Sequence, residues 1–142
     1  MSVLNFEGYL VEKMTYDRNP NFDKKFAQFK MSPTIELKNQ VDGEKIQVSL
    51  GITVGKQNDS KIPFSATVII VGKFSYQPDE DTESIGLTAL VRNNAVAILY
   101  PYARALIAQL TTASNEFPGY NLPTINVPEA LSLIHISEPT RH

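Results

Sequence analysis

Few residues in this chain have the type and spacing for metal chemistry. The acidic run PDEDTE at residues 78–83 places Asp79, Asp81 and Glu83 at the alternate spacing of a calcium-binding loop. No glycine follows at the sixth position, and Leu90 stands where the bidentate glutamate belongs. We therefore interpret the run as a solvated acidic loop, and we predict no metal site.

The side chains that activate most enzyme nucleophiles are also scarce. The chain has no cysteine, and its two histidines, His135 and His142, lie near the C-terminus. The run GITVGK at residues 51–56 has the wrong spacing for a phosphate-binding loop and falls inside a strand pattern. A serine and lysine pair remains the catalytic alternative, although no local signature marks one. We predict neither an enzyme nor a cofactor.

The end of the chain needs a separate interpretation. Residues 131–141, LSLIHISEPTR, resemble the conceptual translation of a transposase adapter used in sequencing libraries. We therefore predict one domain at residues 1–130 and a non-native tail at residues 131–142. A genuine disordered C-terminus is the alternative. Because both histidines belong to this tail, the predicted domain contains none.

Composition describes an ordinary globular domain. The 142 residues are 42% hydrophobic and 20% charged, and the formal net charge is −2. Lysine and arginine are scattered singly, which disfavours nucleic acid as a partner. The N-terminus lacks the basic and long apolar regions of a signal peptide, and no apolar run reaches 18 residues. We predict a cytoplasmic protein with no direct membrane insertion.

Alternation of apolar and polar residues predicts four strands. They cover residues 4–16, 34–39, 46–54 and 63–76, with a hairpin turn at Asp42 and Gly43 between the second and third. In the first strand, the even positions form the predicted apolar row: Leu4, Phe6, Leu10 and Met14. In the fourth, Ile69 and Val71 lie opposite the main apolar row, which predicts cover on both faces.

A long amphipathic helix is predicted at residues 95–113. Its apolar stripe consists of Val96, Leu99, Tyr100, Ala103, Leu106, Ile107 and Leu110. Asn93 or Asn94 is the predicted N-cap, and Ser114 with Asn115 opens a proline-rich exit. Pro101 would remove a hydrogen bond inside this helix, so a helix start near Pro101 is the alternative.

Two motifs flank the end of this helix and resemble a known family. ILYPYAR at residues 98–104 and FPGYNLPTINV at residues 117–127 resemble the paired signature of the bacterial export chaperone SecB and its SecB-like relatives. The resemblance and the element order together imply an α+β fold. In this fold a four-stranded antiparallel sheet carries one long helix, and a second C-terminal helix begins at Pro128 and is truncated.

The resemblance also implies an assembly. SecB-like proteins build homotetramers from paired first strands and from long helices sandwiched between sheets. This would explain why the predicted helix has a second apolar side, formed by Ile98, Tyr102 and Ala105. We predict that these three residues form an oligomer interface.

For function, the resemblance implies an ATP-independent holdase that binds unfolded polypeptides or preproteins, in protein export, with the export motor ATPase as a further partner. The predicted client-binding residues are Phe22, Phe26, Phe29, Met31, Phe117, Tyr120, Leu122, Ile125 and Val127. Each of these side chains could equally belong to a small apolar cluster that packs beneath a loop. The alternatives are a chaperone dedicated to one client, such as an antitoxin, and an interaction domain without chaperone activity.

Overall fold

The sheet is the largest element of the computed structural model, which describes residues 4–23, 25, 31–56, 58–76, 94–122, 134–136 and 140–141. The elements in chain order are β1 (Leu4–Arg18), β2 (Pro33–Asp42), β3 (Lys45–Gly55), β4 (Phe64–Tyr76), α1 (Val96–Thr112), β5 (Ile134–Ile136) and β6 (Thr140–Arg141). The predicted α+β class, with four antiparallel strands and one long helix, is confirmed. The predicted second helix lies outside the described residues.

The four long strands follow the order β1-β4-β3-β2, and every pair among them is antiparallel. β2 and β3 pair without a shift from Pro33 opposite Val54 to Asp42 opposite Lys45. The hairpin turn between them therefore consists of Gly43 and Glu44, one residue later than predicted. Gly43 has a φ of 61°, which glycine adopts without the steric cost of a Cβ atom.

One face of this sheet carries the core. Alternate residues of β2, β3 and β4 are buried there, and α1 packs on the same face, mainly across β4 with β3 and β1 beside it. Gly72 allows the close approach of the helix, because a Cβ atom there would lie 2.7 Å from Leu99 Cδ2. The regular period of the three strands is thus sufficient to form one continuous apolar surface.

The opposite face is not covered in the way the alternation predicted. Ile69 and Val71 are half-buried rather than fully buried. They line an open cleft of about 400 Å³ together with polar side chains that include Lys38, Gln47 and Ser49. Within the part of the chain that the structure describes, this face is a polar surface with an apolar floor.

β1 departs from the predicted alternation because it contains two bulges. The register against β4 shifts between Phe6 and Gly8 and again between Val11 and Lys13. Each extra residue reverses the faces that the following side chains occupy. Leu10 consequently pairs with Val71 on the outer face, whereas Tyr9, Val11 and Met14 share the helix face with Phe6. The prediction that Leu10 belongs to the same row as Phe6 and Met14 is wrong.

Helix α1 spans Val96–Thr112, within one residue of the prediction at each end. Pro101 lies inside it, so the alternative start near Pro101 is wrong. No side-chain cap forms at the N-terminus, since Ala95 already has helical dihedral angles (φ −66°, ψ −42°). The prediction of Asn94 as the N-cap is therefore wrong, and Asn93 lies outside the described residues. No helix of the described residues is long and apolar enough to cross a membrane.

Candidate functional site

Two segments that are far apart in the chain meet beside the sheet. One follows β1 and contains Phe22 and Met31; the other follows α1 and contains Phe117 and Tyr120. The rings of Phe22 and Phe117 lie edge to face with centroids 5.7 Å apart. The hydroxyl of Tyr120 donates a hydrogen bond to the carbonyl oxygen of Met31 at 3.0 Å. We call this contact region the aromatic junction.

The aromatic junction is attached to the core. Phe117 also approaches Phe64, which is fully buried, with a centroid distance of 6.1 Å. Tyr16 also stacks on Phe64, with a centroid distance of 5.1 Å. Phe22 and Phe117 themselves are half-buried. Each ring therefore contributes packing to the fold and also retains exposed apolar surface.

Tyr120 is held at both its backbone and its ring. Its amide donates to Thr111 Oγ1 at 2.8 Å, and that hydroxyl donates in turn to the carbonyl oxygen of Ile107 at 2.8 Å. Burial raises the pKa of the Tyr120 phenol above its ordinary value. The phenol is therefore protonated at neutral pH, as its role as a donor to Met31 requires.

Residues that were not predicted as client-binding residues hold the segment after α1. Arg104 Nε donates to the carbonyl oxygen of Leu122 at 2.8 Å. Gly119 lies directly against the helix, because a Cβ atom there would be 2.1 Å from Thr112 Oγ1. Asn115, beyond the C-terminal end of α1, has a φ of 57°, a conformation that asparagine tolerates better than most residues. In the sequence, Ser114, Asn115 and the proline-glycine pair that follows indicated such a return.

The segment after β1 is anchored by Asn19, which was not predicted as a site residue. Asn19 is almost completely buried, and its side-chain amide donates to the carbonyl oxygens of Asp59 at 2.9 Å and Ile62 at 2.8 Å. Its Oδ1 accepts from the amide of Asn21 at 3.1 Å. These hydrogen bonds attach the start of the segment after β1 to the loop before β4.

The predicted client-binding residues therefore fall into three groups. Phe22, Met31, Phe117 and Tyr120 are half-buried and are brought together at the aromatic junction. Leu122 is fully buried, so it is a core residue rather than a groove wall. The remaining predicted positions lie outside the described residues: Phe26, Phe29, Ile125 and Val127.

An open cavity of about 360 Å³ adjoins the aromatic junction at Met31. Its other walls are Ser32, Thr34, Gly55, Lys56 and Ile62. The lining is mixed rather than purely apolar, and one cation, Lys56, stands at the surface. Among the described residues, no group of three or more histidine or acidic side chains is placed to hold a metal ion.

A second apolar surface is formed by β1 and α1. On the helix face of β1, Tyr9, Val11 and Met14 are large side chains that remain exposed, and Tyr102 of α1 lies beside them. All four are between 37% and 43% exposed, and the rings of Tyr9 and Tyr102 are 4.5 Å apart. We call these four residues the β1 patch. Such a contiguous apolar surface is typical of a protein interface.

The predicted oligomer interface partly overlaps this surface. Tyr102 belongs to the β1 patch, Ala105 is exposed, and Ile98 is half-buried. These positions have no full cover from the described part of the same chain, which leaves room for a partner.

Two ion pairs join distant elements. Arg18 at the end of β1 makes a two-pronged contact with Glu116, through Nε at 2.8 Å and Nη2 at 2.9 Å. The hydrogen bond to Glu116 raises the pKa of Arg18, which is charged in any case. Lys45 Nζ lies 3.0 Å from Glu7 Oε2 at the first bulge of β1. Both pairs are solvent-exposed, so each contributes little to stability.

Known proteins resemble this chain in sequence and in fold. Residues 4–131 match the SecB family, described as preprotein translocase subunit SecB. The uncharacterized protein MJ0357 of Methanocaldococcus jannaschii is 32% identical over 128 residues, which cover 87% of this chain and 79% of that protein. The structure of the Mycobacterium tuberculosis Rv1957 SecB-like chaperone, in complex with a ChAD peptide from the Rv1956 HigA1 antitoxin, has a TM-score of 0.71 at 15% identity. That match covers 87% of this chain and 91% of the other, and it shows a shared fold.

Proposed function

The chain belongs to the SecB family, and we propose that it is an ATP-independent chaperone that holds non-native polypeptides. The observation that carries this proposal is the aromatic junction. Residues separated by about a hundred positions meet there and leave aromatic and thioether surface partly exposed beside an open cavity. Such side chains contact many apolar shapes without demanding a specific polar partner.

Energetics are consistent with reversible holding. Covering roughly 1,000 Å² of apolar client surface would contribute on the order of 25 kcal/mol at about 25 cal/mol per Å². Most of this is offset by ordering a flexible client. Binding of the unfolded state by mass action then needs no nucleotide.

A homotetramer is the second part of the proposal. The β1 patch and the exposed side of α1 support it, because they are apolar surfaces that the described part of one chain leaves uncovered. Burying them against other copies would leave the aromatic junction free to meet a client, because the two sets of residues do not overlap.

The cellular role follows from the family. We propose a cytoplasmic protein whose clients are preproteins awaiting export, with the export motor ATPase as a further partner. A chaperone dedicated to one client is the second candidate, and the fold neighbour with its antitoxin peptide favours it. Co-purification separates the two, since a general chaperone retains many clients and a dedicated one retains a single protein.

The central test measures light scattering from a denatured polypeptide that is diluted into buffer without nucleotide. The purified chain should suppress aggregation at a stoichiometric ratio. Phe22→Ser should reduce this suppression at least about fivefold, because it removes an anchor ring from the aromatic junction.

Ile69→Ser is the matched control. Ile69 is half-buried like Phe22, but it lies on the polar face of the sheet. Both variants should lower the melting temperature by similar amounts, and only Phe22→Ser should lower chaperone activity. Equal loss in both would assign the Phe22 ring to stability, and an inactive wild-type chain would overturn the proposed function.

A further inference from the structure

The outer edge of β2 carries an added strand from outside the family match. β5 pairs in parallel with residues 35–37 of β2, and β6 pairs in parallel with Gln40 and Val41. The match to the SecB family ends at residue 131, before either piece begins. The strand that extends the sheet is therefore not part of the sequence that identifies the family.

β2 has the geometry that permits strand addition. It pairs with β3 over ten consecutive positions with no bulge, so its backbone is regular. A regular edge presents N–H and C=O groups in a repeating row, and any extended chain can pair with it through its own backbone. Only Pro33, at the start of β2, would interfere with such pairing.

The pairing tolerates a change in register. Ile35 lies opposite Ile134, and Gln40 lies opposite Thr140, so the added chain uses one residue more than β2 between the two paired pieces. A change of register by one residue moves each side chain of the added strand to the other face of the sheet, so recognition cannot depend on matched side chains along both paired pieces. The predicted non-native origin of residues 131–142 agrees, because an unselected sequence can pair only through groups that every residue type except proline shares.

The side chains of β2 define what fits best. Ile35 and Leu37 are buried on one face, whereas Glu36, Lys38 and Gln40 are exposed on the other. An added strand thus lies beside an apolar row and a polar row. The favoured occupant is an extended polypeptide of alternating apolar and polar residues, without proline in the paired segment.

We propose that the outer edge of β2, from Ile35 to Val41, is a strand-addition site for extended segments of non-native polypeptides, and that β5 and β6 compete for it within the same chain. The client half of this proposal rests on the proposed function; the competition within the chain does not. A tethered strand with an intrinsic dissociation constant of about 100 μM and an effective concentration of about 1 mM would weaken the binding of a competing ligand roughly tenfold.

The test uses the full chain and a labelled peptide with the sequence of residues 131–142. Ile134→Pro with Ile136→Pro removes two backbone donors from the tail and releases the edge of β2. This variant should bind the peptide about tenfold more tightly than the wild type does. Ile134→Ala with Ile136→Ala is the matched control, because it keeps the backbone donors and should bind like the wild type.

A peptide that carries the same two prolines should bind neither protein. Backbone amides of residues 35–41 should exchange hydrogen faster in the proline variant and should regain protection when the unmodified peptide is added. Equal binding by wild type and proline variant, or binding of the proline peptide, would overturn the site. Dimerisation of the proline variant in place of peptide binding would overturn the client assignment.

Failure of this inference is distinguishable from failure of the proposed function. If the chain suppresses aggregation but the proline variant neither binds the peptide nor changes in activity, strand addition is wrong and the chaperone role stands. If peptide binding follows the expected pattern but no variant suppresses aggregation, the edge site stands without a client.

Discussion

The two edges of the sheet solve the problem of an unpaired strand in different ways. β1 is interrupted by two bulges and exposes large apolar side chains, which include Tyr9, Val11 and Met14. β2 is regular over ten positions and shows polar side chains on its exposed face. The first edge offers side chains to a partner, and the second offers its backbone. A partner at β1 must match in shape, whereas a partner at β2 only has to be extended.

This contrast explains how one small sheet could serve both assembly and client binding. Packing of shaped side chains selects one partner, as the identical copies of a homotetramer require. Backbone pairing accepts many sequences, as a general chaperone requires. The four predictions below test this division, starting with the largest expected effect.

Deleting Glu12 should remove the difference between the edges by making β1 regular at its second bulge. In the present structure the rings of Phe6 and Phe74 have centroids 5.3 Å apart, and Tyr16 stacks on Phe64. After the deletion, one of these two ring contacts should be lost, because the faces on the two sides of residue 12 can no longer both be kept. We expect a loss of roughly 3 kcal/mol or more in the free energy of unfolding, as for other lost aromatic core contacts. Denaturant titration measures this loss.

The control for the deletion is Glu12→Ala, which keeps the extra residue. It should change stability by less than about 0.5 kcal/mol, because Glu12 is exposed. A deletion variant as stable as Glu12→Ala would mean that the bulge does not set the faces of β1.

Val11→Asp and Leu10→Asp form a matched pair at the β1 edge. The two side chains are 43% and 44% exposed, yet the bulges place Val11 on the helix face and Leu10 on the outer face. If the β1 patch is the assembly surface, Val11→Asp should weaken association by about 2 kcal/mol. Leu10→Asp should weaken it by less than about 0.5 kcal/mol. Light scattering over a dilution series measures both.

The opposite ranking would place the assembly surface on the outer face of β1. Equal, small effects in a chain that stays monomeric throughout would contradict the proposed tetramer.

Hydrogen exchange should distinguish the edges directly. With residues 134–141 released by the two proline substitutions, the peptide of residues 131–142 should slow exchange in β2 about tenfold, equivalent to about 1.4 kcal/mol. Amides of β1 should not change, because its bulges break the regular row of backbone groups. Protection of β1 in the same experiment would remove the distinction between the edges.

Lys45→Ala should have the smallest effect. Lys45 reaches across to Glu7 at the first bulge, but both side chains are largely exposed to solvent. We expect a loss of less than about 0.5 kcal/mol, which should shrink further at high salt. Thermal melts at two salt concentrations measure it. A loss above about 1.5 kcal/mol would show that this ion pair, rather than the backbone, holds the bulge.

The predicted site was accessible to sequence reasoning only in part. Phe22 and Phe117 were both predicted as client-binding residues, and Phe117 lies in the second SecB-like motif. The ring contact between these two residues and the hydrogen bond from Tyr120 to Met31 each join residues about ninety positions apart. No local sequence pattern could therefore have predicted them. Leu122 was misassigned because a buried leucine and a groove leucine look alike in a sequence.

The sequence by itself determined where the four long strands and α1 lie along the chain, because periods of 2 and 3.6 residues are local properties that survive without the rest of the fold. It also determined the family through two motifs. Only the tertiary structure decided which faces the side chains of β1 occupy, since one extra residue at a bulge reverses every position after it. The tertiary structure likewise decided that β2 ends the antiparallel part of the sheet and that β5 and β6 pair with its outer edge. Strand order depends on contacts between segments that the chain itself keeps far apart.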